Sequence, residues 1–307
     1  MYLQSMENFN PEFVQVFNYA PATGAPIGSD MRLLEAVHNH GSIKRSDIEM
    51  VKFLYEVKIA TVKQISEIFE DMSEKEINDR LHNLIKLRVC NKFMLGDLSP
   101  ETHVQSDAVV FFTIDSAAIH LLRHETGDED IENWNAATLY MDATQVFKTF
   151  LVTEYFISIK KNMKKNLLTF NTCRIFIGKH KYKIKPKGEL IASRNSKNYY
   201  FIIDAITDYD INLGDKTKIT EKLLRYSTFE SEGMWSTYYE DSNPVIIFVA
   251  DSMETISKVN RIIENLGDFP EYRFTLNELA KNDLKTSLIK YDSNSGQFGR
   301  TKTDIFE

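Results

Sequence analysis

The stretch Tyr199–Phe229, YYFIIDAITDYDINLGDKTKITEKLLRYSTF, decides how the C-terminal half of the chain folds. An apolar run, Tyr199–Ile203, meets an acid at Asp204 before the run ends at Ile206. Aromatic and β-branched residues in so short a run, bounded by turn chemistry, read as a buried strand. The polar, Gly-containing loop Thr207–Asp215 follows, and then Ile219, Leu223 and Tyr226 recur at helical spacing. Working outward, strands are expected near Thr172–Ile177 and Lys181–Ala192 before this stretch and at Pro244–Ala250 after it. A helix opened by Ser252 and carrying Ile256, Val259, Ile262 and Ile263 comes next. Arg273–Leu276 reads as an added edge strand, and residues 293–307 as a flexible, polar tail.

Upstream, a long helix is expected from about Trp134 to Lys164, with Leu139, Val146, Phe147, Phe150, Leu151 and Tyr155 on one side. Residues 128–292 therefore form one α/β domain, reached through the acidic linker Thr126–Glu132.

Ser46–Arg88 reads as three successive helices, each opened by a capping box in which two otherwise orphaned amides are satisfied reciprocally. The boxes are Ser46–Glu49, Thr61–Gln64 and Ser73–Glu76, and apolar residues follow each at helical spacing. Two strand-like runs, Cys90–Leu95 and Ala108–Ile114, are joined by the loop Gly96–Asp107, and Ser116–His124 closes the unit. Three helices and a hairpin make a winged helix over residues 45–127, with Ser73–Arg88 in the recognition position. Lys75, Asn78, His82, Asn83 and Lys86 then stand on its outer face as DNA-contacting candidates. Glu74, Glu76 and Asp79 load the same helix with charge that repels phosphates, so protein contact is the competing use. Residues 1–44 form an arm with Phe9, Phe13, Phe17 and Tyr19 but no evident core, which points to a homodimer or to docking on a later domain.

Composition bounds the partners. With 43% hydrophobic and 26% charged residues the chain is an ordinary globular protein, not a disordered one. The longest apolar run, Val245–Ala250, falls far short of a membrane span. No basic residue precedes Arg32, so no secretory leader is expected, and Cys90 and Cys173 read as reduced thiols of a cytoplasmic protein. His120 and His124 have metal-ligand spacing but lack the glutamate of the HExxH motif; with His38 and His40 they read as solvated. No metal site and no cofactor motif is expected.

Net charge is −7, yet no acid occurs between Tyr155 and Gly188. That span holds Lys160, Lys161, Lys164, Lys165, Arg174, Lys179, Lys181, Lys183, Lys185 and Lys187. The last five recur with period two, which on a strand places them on one face about 6.6 Å apart. Such a ladder fits phosphate tracking; protection of an exposed sheet edge, which Pro186 also suits, is the alternative.

In this order the chain resembles the replication-relaxation family of plasmid and mobile-element proteins. The resemblance rests on Pro186-Lys187-Gly188 in place of Pro-Asp-Gly, on Asp204 at the end of the third strand, and on Lys222-Leu223-Leu224-Arg225-Tyr226 in the next helix. It implies an α+β protein, an N-terminal winged helix followed by an αβββαβ restriction-endonuclease-like domain of the PD-(D/E)XK type. It also implies double-stranded DNA and other replication or transfer proteins as partners. A nuclease of this type needs two acids for Mg²⁺ and a lysine beside the attacking water. Here Lys187 replaces the first acid and Ile206 the lysine, which leaves Glu189, Asp204, Lys222 and Tyr226 as vestigial positions and no catalytic residue expected. A metal-dependent endonuclease using Glu189 and Asp204 is one alternative, with Asp208 or Asp210 as a further acid and Lys218 or Lys222 supplied by the helix. A protein-interaction adaptor without DNA binding is the other.

Overall fold

The computed structural model describes residues 14–18, 43–97, 109–128, 131, 143–163, 166–172, 174–212, 216–240 and 242–306. The chain is mixed α+β and divides into two compact units, Met1–Phe150 and Leu151–Glu307. The division falls inside a helix, not at the acidic linker around residues 126–132 as the composition suggests. The reason is packing: Ala143, Val146 and Phe150, the first turns of that helix, join Ile59, Phe93, Leu95, Val109 and Phe111 in one core cluster.

In the first unit, α1 (Arg45–Val57), α2 (Val62–Ser66) and α3 (Glu74–Lys86) precede strands β2 (Cys90–Asp97) and β3 (Val109–Ile114) and helix α4 (Ser116–Thr126). Strand β1 (Val14–Asn18) of the N-terminal arm pairs antiparallel with β2, which pairs antiparallel with β3. The strand-forming part of the arm thus docks on its own chain; Phe9, Phe13, Tyr19, Met31–Asn39 and the pair His38 and His40 lie outside the described residues. An isolated bridge from Ala60 to Phe112 attaches the start of α2 to the hairpin.

The α2 capping box forms as read, with Thr61 and Gln64 each satisfying the other's amide at 2.9 and 3.1 Å. Ser73 accepts from the Glu76 amide at 3.2 Å. The first box does not form. Helix α1 begins one residue earlier than Ser46, and it is Asp47, not Glu49, that accepts from the Lys44 amide at 2.7 Å. Asp47 is also held by Arg80 of α3, and a buried carboxylate with a guanidinium in reach outcompetes an exposed glutamate for the cap.

Helix α5 (Ala143–Asn162) carries the chain from one unit into the other. Instead of one apolar side it is buried all round: Val146, Phe150, Leu151, Val152, Tyr155, Phe156, Ile157 and Ile159 are each at most 4% exposed. Polar side chains are buried along with them, Glu154 in an ion pair with Lys281, as in an interior helix.

The second unit is built on a seven-stranded mixed sheet. Strands β4 (Leu167–Asn171), β7 (Gly188–Arg194) and β8 (Lys197–Ile206) form an antiparallel meander. A two-stranded ribbon, β5 (Phe176–Ile177) with β6 (Lys183–Ile184), is inserted between β4 and β7. After β8 come helices α6 (Asp208–Asn212) and α7 (Lys216–Ser231), then β9 (Val245–Ala250) parallel to β8. Helix α8 (Met253–Glu264), capped by Ser252 as read, leads to β10 (Tyr272–Leu276), which is parallel to β9 and interior rather than an edge. A short α9 (Asn277–Asn282) precedes β11 (Leu288–Asp292) and β12 (Gln297–Thr301). The expected flexible tail is therefore an ordered hairpin, and Phe306 beyond it is 1% exposed.

One face of the sheet packs Ile202, Ile206, Ile246 and Phe248 against Ile219, Leu223, Tyr226 and Phe229 of α7 and Ile256, Val259 and Ile263 of α8. On β4, Phe170 stacks on Phe156 of α5 with ring centroids 4.0 Å apart, and its ring lies where a Cβ on Gly188 would sit. This close approach is what the glycine of Pro186-Lys187-Gly188 provides. Among the described residues no helix is long and apolar enough to cross a membrane.

Candidate functional site

Asp204 lies on β8, between Phe248 of β9 on one side and the start of β7 on the other. Glu189 of β7 sits opposite Ile202, so Glu189 and Asp204 share one sheet face as diagonal neighbours. Lys222 and Tyr226 are one helical turn apart on α7 and both reach Asp204. Lys222 Nζ stands 2.6 Å from Asp204 Oδ1, the Ala205 amide donates to the same oxygen at 2.9 Å, and the Tyr226 hydroxyl donates to Oδ2 at 2.9 Å. Asp204 is fully buried. Glu189, 6% exposed, accepts from the Tyr239 hydroxyl at 2.6 Å, and Arg174 Nε lies 3.9 Å from its other oxygen.

The fold thus brings Glu189, Asp204, Lys222 and Tyr226 to one face, but it splits the acids between two partner sets. Asp204 is engaged by a lysine, a phenol and an amide; Glu189 by a phenol and a guanidinium. Tyr239 was not singled out from the sequence, because it follows α7 by a 3₁₀ turn, Met234–Thr237, that no periodicity announces. Asp208 and Asp210 do not join the group: Asp210 caps Thr207 through both its amide and its hydroxyl, and Asp208 faces Lys258 at 3.6 Å. Lys218 is exposed, and it is Lys222 that fills the place beside Asp204. Among the described residues no three His, Cys, Asp or Glu side chains are grouped so as to hold a metal ion. What this arrangement does chemically is fix two buried charges; both phenols hold their protons to do so. Burial, then the Asp204 carboxylate, pushes Tyr226 far above the usual phenol range, and burial, then Glu189, does the same to Tyr239.

A phenol whose folded pKa is raised contributes stability that is complete below its unfolded value of about 10 and is lost as pH climbs above it. By pH 11 each of the two should cost about 1.4 kcal/mol. Urea midpoints measured at pH 8 and pH 11 should fall further in the wild type than in a Tyr226→Phe/Tyr239→Phe double variant. Equal falls would mean that the two hydroxyls ionise freely in the fold.

The five-lysine ladder is not a strand. Lys179 and His180 form a turn, Lys181 has a left-handed φ of 61°, and of the five only Lys183 belongs to β6. Gly178 permits this turn, because the Tyr182 ring lies over it where a Cβ would be. Yet from Lys181 onward an alternation of exposure survives, while His180 is exposed like its neighbours. Lys179, Lys181, Lys183 and Lys185 are exposed while Ile184 and Pro186 are buried; Lys187 is half-buried at the entry to β7. Lys179 Nζ is spent on the Glu232 carbonyl at 3.0 Å, and Tyr182 donates to the Glu232 carboxylate at 2.9 Å, so the ribbon tip is tied to the end of α7. Lys181, Lys183 and Lys185 form no ion pair among the described residues. Arg225 is exposed beside them, its guanidinium 3.4 Å from the Lys183 carbonyl and 4.0 Å from Glu221.

In the first unit, Ile77, Leu81, Leu84 and Ile85 bury the inner face of α3, and Lys75, Asn83 and Lys86 are exposed as expected. Asn78 is half-buried. His82 is not on the outer face: its Nδ1 meets the Asn78 carbonyl at 2.8 Å and its ring packs edge-on to Phe112 of β3 at 6.4 Å. Glu74, Glu76 and Asp79 are exposed beside the lysines. On α4, His124 pairs with neighbouring Glu125 at 3.3 Å and is half-exposed, in keeping with a solvated histidine. Cys90 is buried, and burial pushes its thiol up, away from reactivity; Cys173 lies outside the described residues.

The chain matches no family model, no curated protein and no solved structure.

Proposed function

We propose that the chain is a DNA-binding accessory protein of a plasmid or other mobile element, acting in replication, relaxation or conjugative transfer. On this reading the first unit is a winged helix and the second a restriction-endonuclease-like domain without catalysis. The order α1-α2-α3 followed by the β2–β3 hairpin, with the Ala60–Phe112 bridge, supports the first assignment. A helix, an antiparallel meander, a crossover helix and a parallel fourth strand (α5, β4-β7-β8, α7, β9) support the second.

The observation that carries the reading is the β5–β6 ribbon, with Lys181, Lys183 and Lys185 exposed in a span without a single acid. Edge protection explains them less well. The outer edge of β5 is met by Tyr238, whose hydroxyl accepts from the Ile177 amide at 2.8 Å and donates to its carbonyl at 3.3 Å, and on β6, the lysine-bearing strand, Arg225 donates to the Lys183 carbonyl at 3.4 Å. Three phosphate contacts release three counterions, so the ribbon should supply a log–log salt slope near −2.7. Raising salt from about 50 to 200 mM should then weaken its share of binding by about 40-fold.

Anisotropy titrations of a duplex across that salt range test this. Lys181→Gln/Lys183→Gln/Lys185→Gln should flatten the slope by about 2.7 units on any sequence. An unchanged slope removes the ribbon from the interface, and no binding by the wild type at 50 mM salt makes the adaptor reading the better one. Both acids are already engaged by cations and phenols, so duplex incubated with Mg²⁺ or Mn²⁺ should stay intact. Cutting that disappears in Asp204→Asn would instead establish the endonuclease reading, in which Lys222 supplies the lysine missing from the third strand.

A further inference from the structure

The ribbon exposes more than lysines. Ile175 and Ile177 are 41% and 46% exposed, among the few large apolar side chains that face solvent anywhere in the described chain. They alternate with buried Phe176, so both lie on the outward face, and Ile177 is the direct cross-strand partner of Lys183. Directly opposite residues of an antiparallel pair share a face. The outward face of β5–β6 is therefore two apolar side chains flanked by ammonium groups, Lys183 opposite and Lys181 and Lys185 in the same exposed series.

The ribbon is also held rigidly. Phe176 packs on Trp235 and Tyr238 with ring centroids 5.4 and 5.0 Å away, Ile184 is 3% exposed in the same core, and the tip is bonded to Glu232. Single exposed apolar side chains are ordinary on a protein surface; here two stand together on one packed arm.

We propose that this ribbon enters the minor groove of duplex DNA and that Ile175 and Ile177 are wedges that part adjacent base steps and bend the duplex, with the lysines on the flanking phosphates. The proposal rests on the DNA-binding reading above and adds the mode of engagement. Apolar wedges inserted from the minor groove unstack a step and kink the duplex, at a cost recovered by the extra backbone contact that the bend allows. The charge is complementary to phosphate on both sides of the wedge.

The test uses the full chain and a duplex of about 30 base pairs labelled at both ends for energy transfer, with a second duplex carrying two adjacent mismatches that lower the cost of unstacking. Wild type should raise transfer on binding and favour the mismatched duplex by about tenfold, since part of the unstacking cost, about 1.4 kcal/mol, is relieved there. Ile175→Ser/Ile177→Ser changes only exposed side chains. It should abolish the rise in transfer and the preference, yet keep the wild-type salt slope. A rise in transfer unchanged in the Ser variant overturns the wedge while leaving the DNA-binding reading intact. A salt slope indifferent to the triple Gln variant removes the ribbon, and the wedge with it, from the interface, whereas no binding of the duplex by wild type at 50 mM salt overturns the DNA-binding reading itself. Sedimentation with vesicles of anionic lipid supplies the third arm. Binding that needs the isoleucines, with no effect of their loss on DNA, overturns the wedge in favour of a membrane surface.

Discussion

Lys222→Met is expected to destabilise the second unit by about 3 kcal/mol, because it leaves the carboxylate of Asp204 buried without a cation. Asp204 has no exposed surface, and its three partners are Lys222, Tyr226 and the Ala205 amide. Breaking a buried pair from one side generally costs about 3–5 kcal/mol; the lysine side chain is 30% exposed, which places the expectation at the low end. For a unit of this size the melting temperature should fall by roughly 6–12 °C. Tyr226→Phe removes one hydrogen bond to a charged acceptor and should cost about 1.5–3 kcal/mol. The informative control is Asp204→Leu/Lys222→Met/Tyr226→Phe, in which no charge or hydroxyl is stranded. Buried ionic groups replaced by apolar side chains of similar volume are often neutral or stabilising, so this triple variant should melt near the wild type. If Lys222→Met alone melts within about half a kcal/mol of wild type, the pair is not the element that secures α7 to β8.

This pair shows what the sequence could and could not convey. The chain order of β8, α7, β9 and α8 follows from patterns of ten to fifteen residues: a β-branched run, helical spacing at Ile219, Leu223 and Tyr226, and the Ser252 cap. Those patterns are local, and the structure keeps them. That Lys222 and Tyr226 meet Asp204 is also legible, since strand and helix are adjacent in the chain and the two side chains are a turn apart.

The lysine ladder misled because a period of two is necessary for a strand but not sufficient. The ring of Tyr182 folding over Gly178, and the left-handed Lys181, turn the segment back on itself after two residues. Exposure still alternates, because alternate residues pack on the aromatic cluster around Trp235. The tail misled for the opposite reason. Its polar run, Asp292 to Gly296, is a hairpin turn: Asp292 accepts from Asn294 and Ser295, and Gly296 takes a φ of 67°. Polarity there marked a tight connection between two strands, not looseness.

The Asp47–Arg80 pair was invisible for a third reason: it joins residues 33 apart on two different helices, and no local pattern links one to the other. It should nonetheless be the largest single electrostatic contribution in the first unit. Asp47 is 2% exposed, accepts from the Lys44 amide at 2.7 Å, and receives both Nε and an Nη of Arg80, a two-pronged geometry only arginine supplies. Arg80→Met should therefore cost about 3–5 kcal/mol. Arg80→Lys should recover little of it, since an ammonium cannot make both bonds. Asp47→Asn keeps an oxygen for the Lys44 amide and strands the guanidinium at a surface where water can reach it, so its cost should be smaller, about 1–2 kcal/mol. Thermal melting of the three variants gives the order, and equal costs for Arg80→Met and Arg80→Lys with a small value for both would show the pair to be incidental. The effect extends to function on the reading proposed here. Arg80 sits at the centre of α3, between Lys75 and Asn83, and fixes that helix to the N-terminus of α1. A duplex-binding assay with Arg80→Met, run well below its melting temperature, should lose discrimination between DNA sequences while retaining the salt slope contributed by the ribbon, because base contacts need the helix held in place and phosphate contacts from the second unit do not.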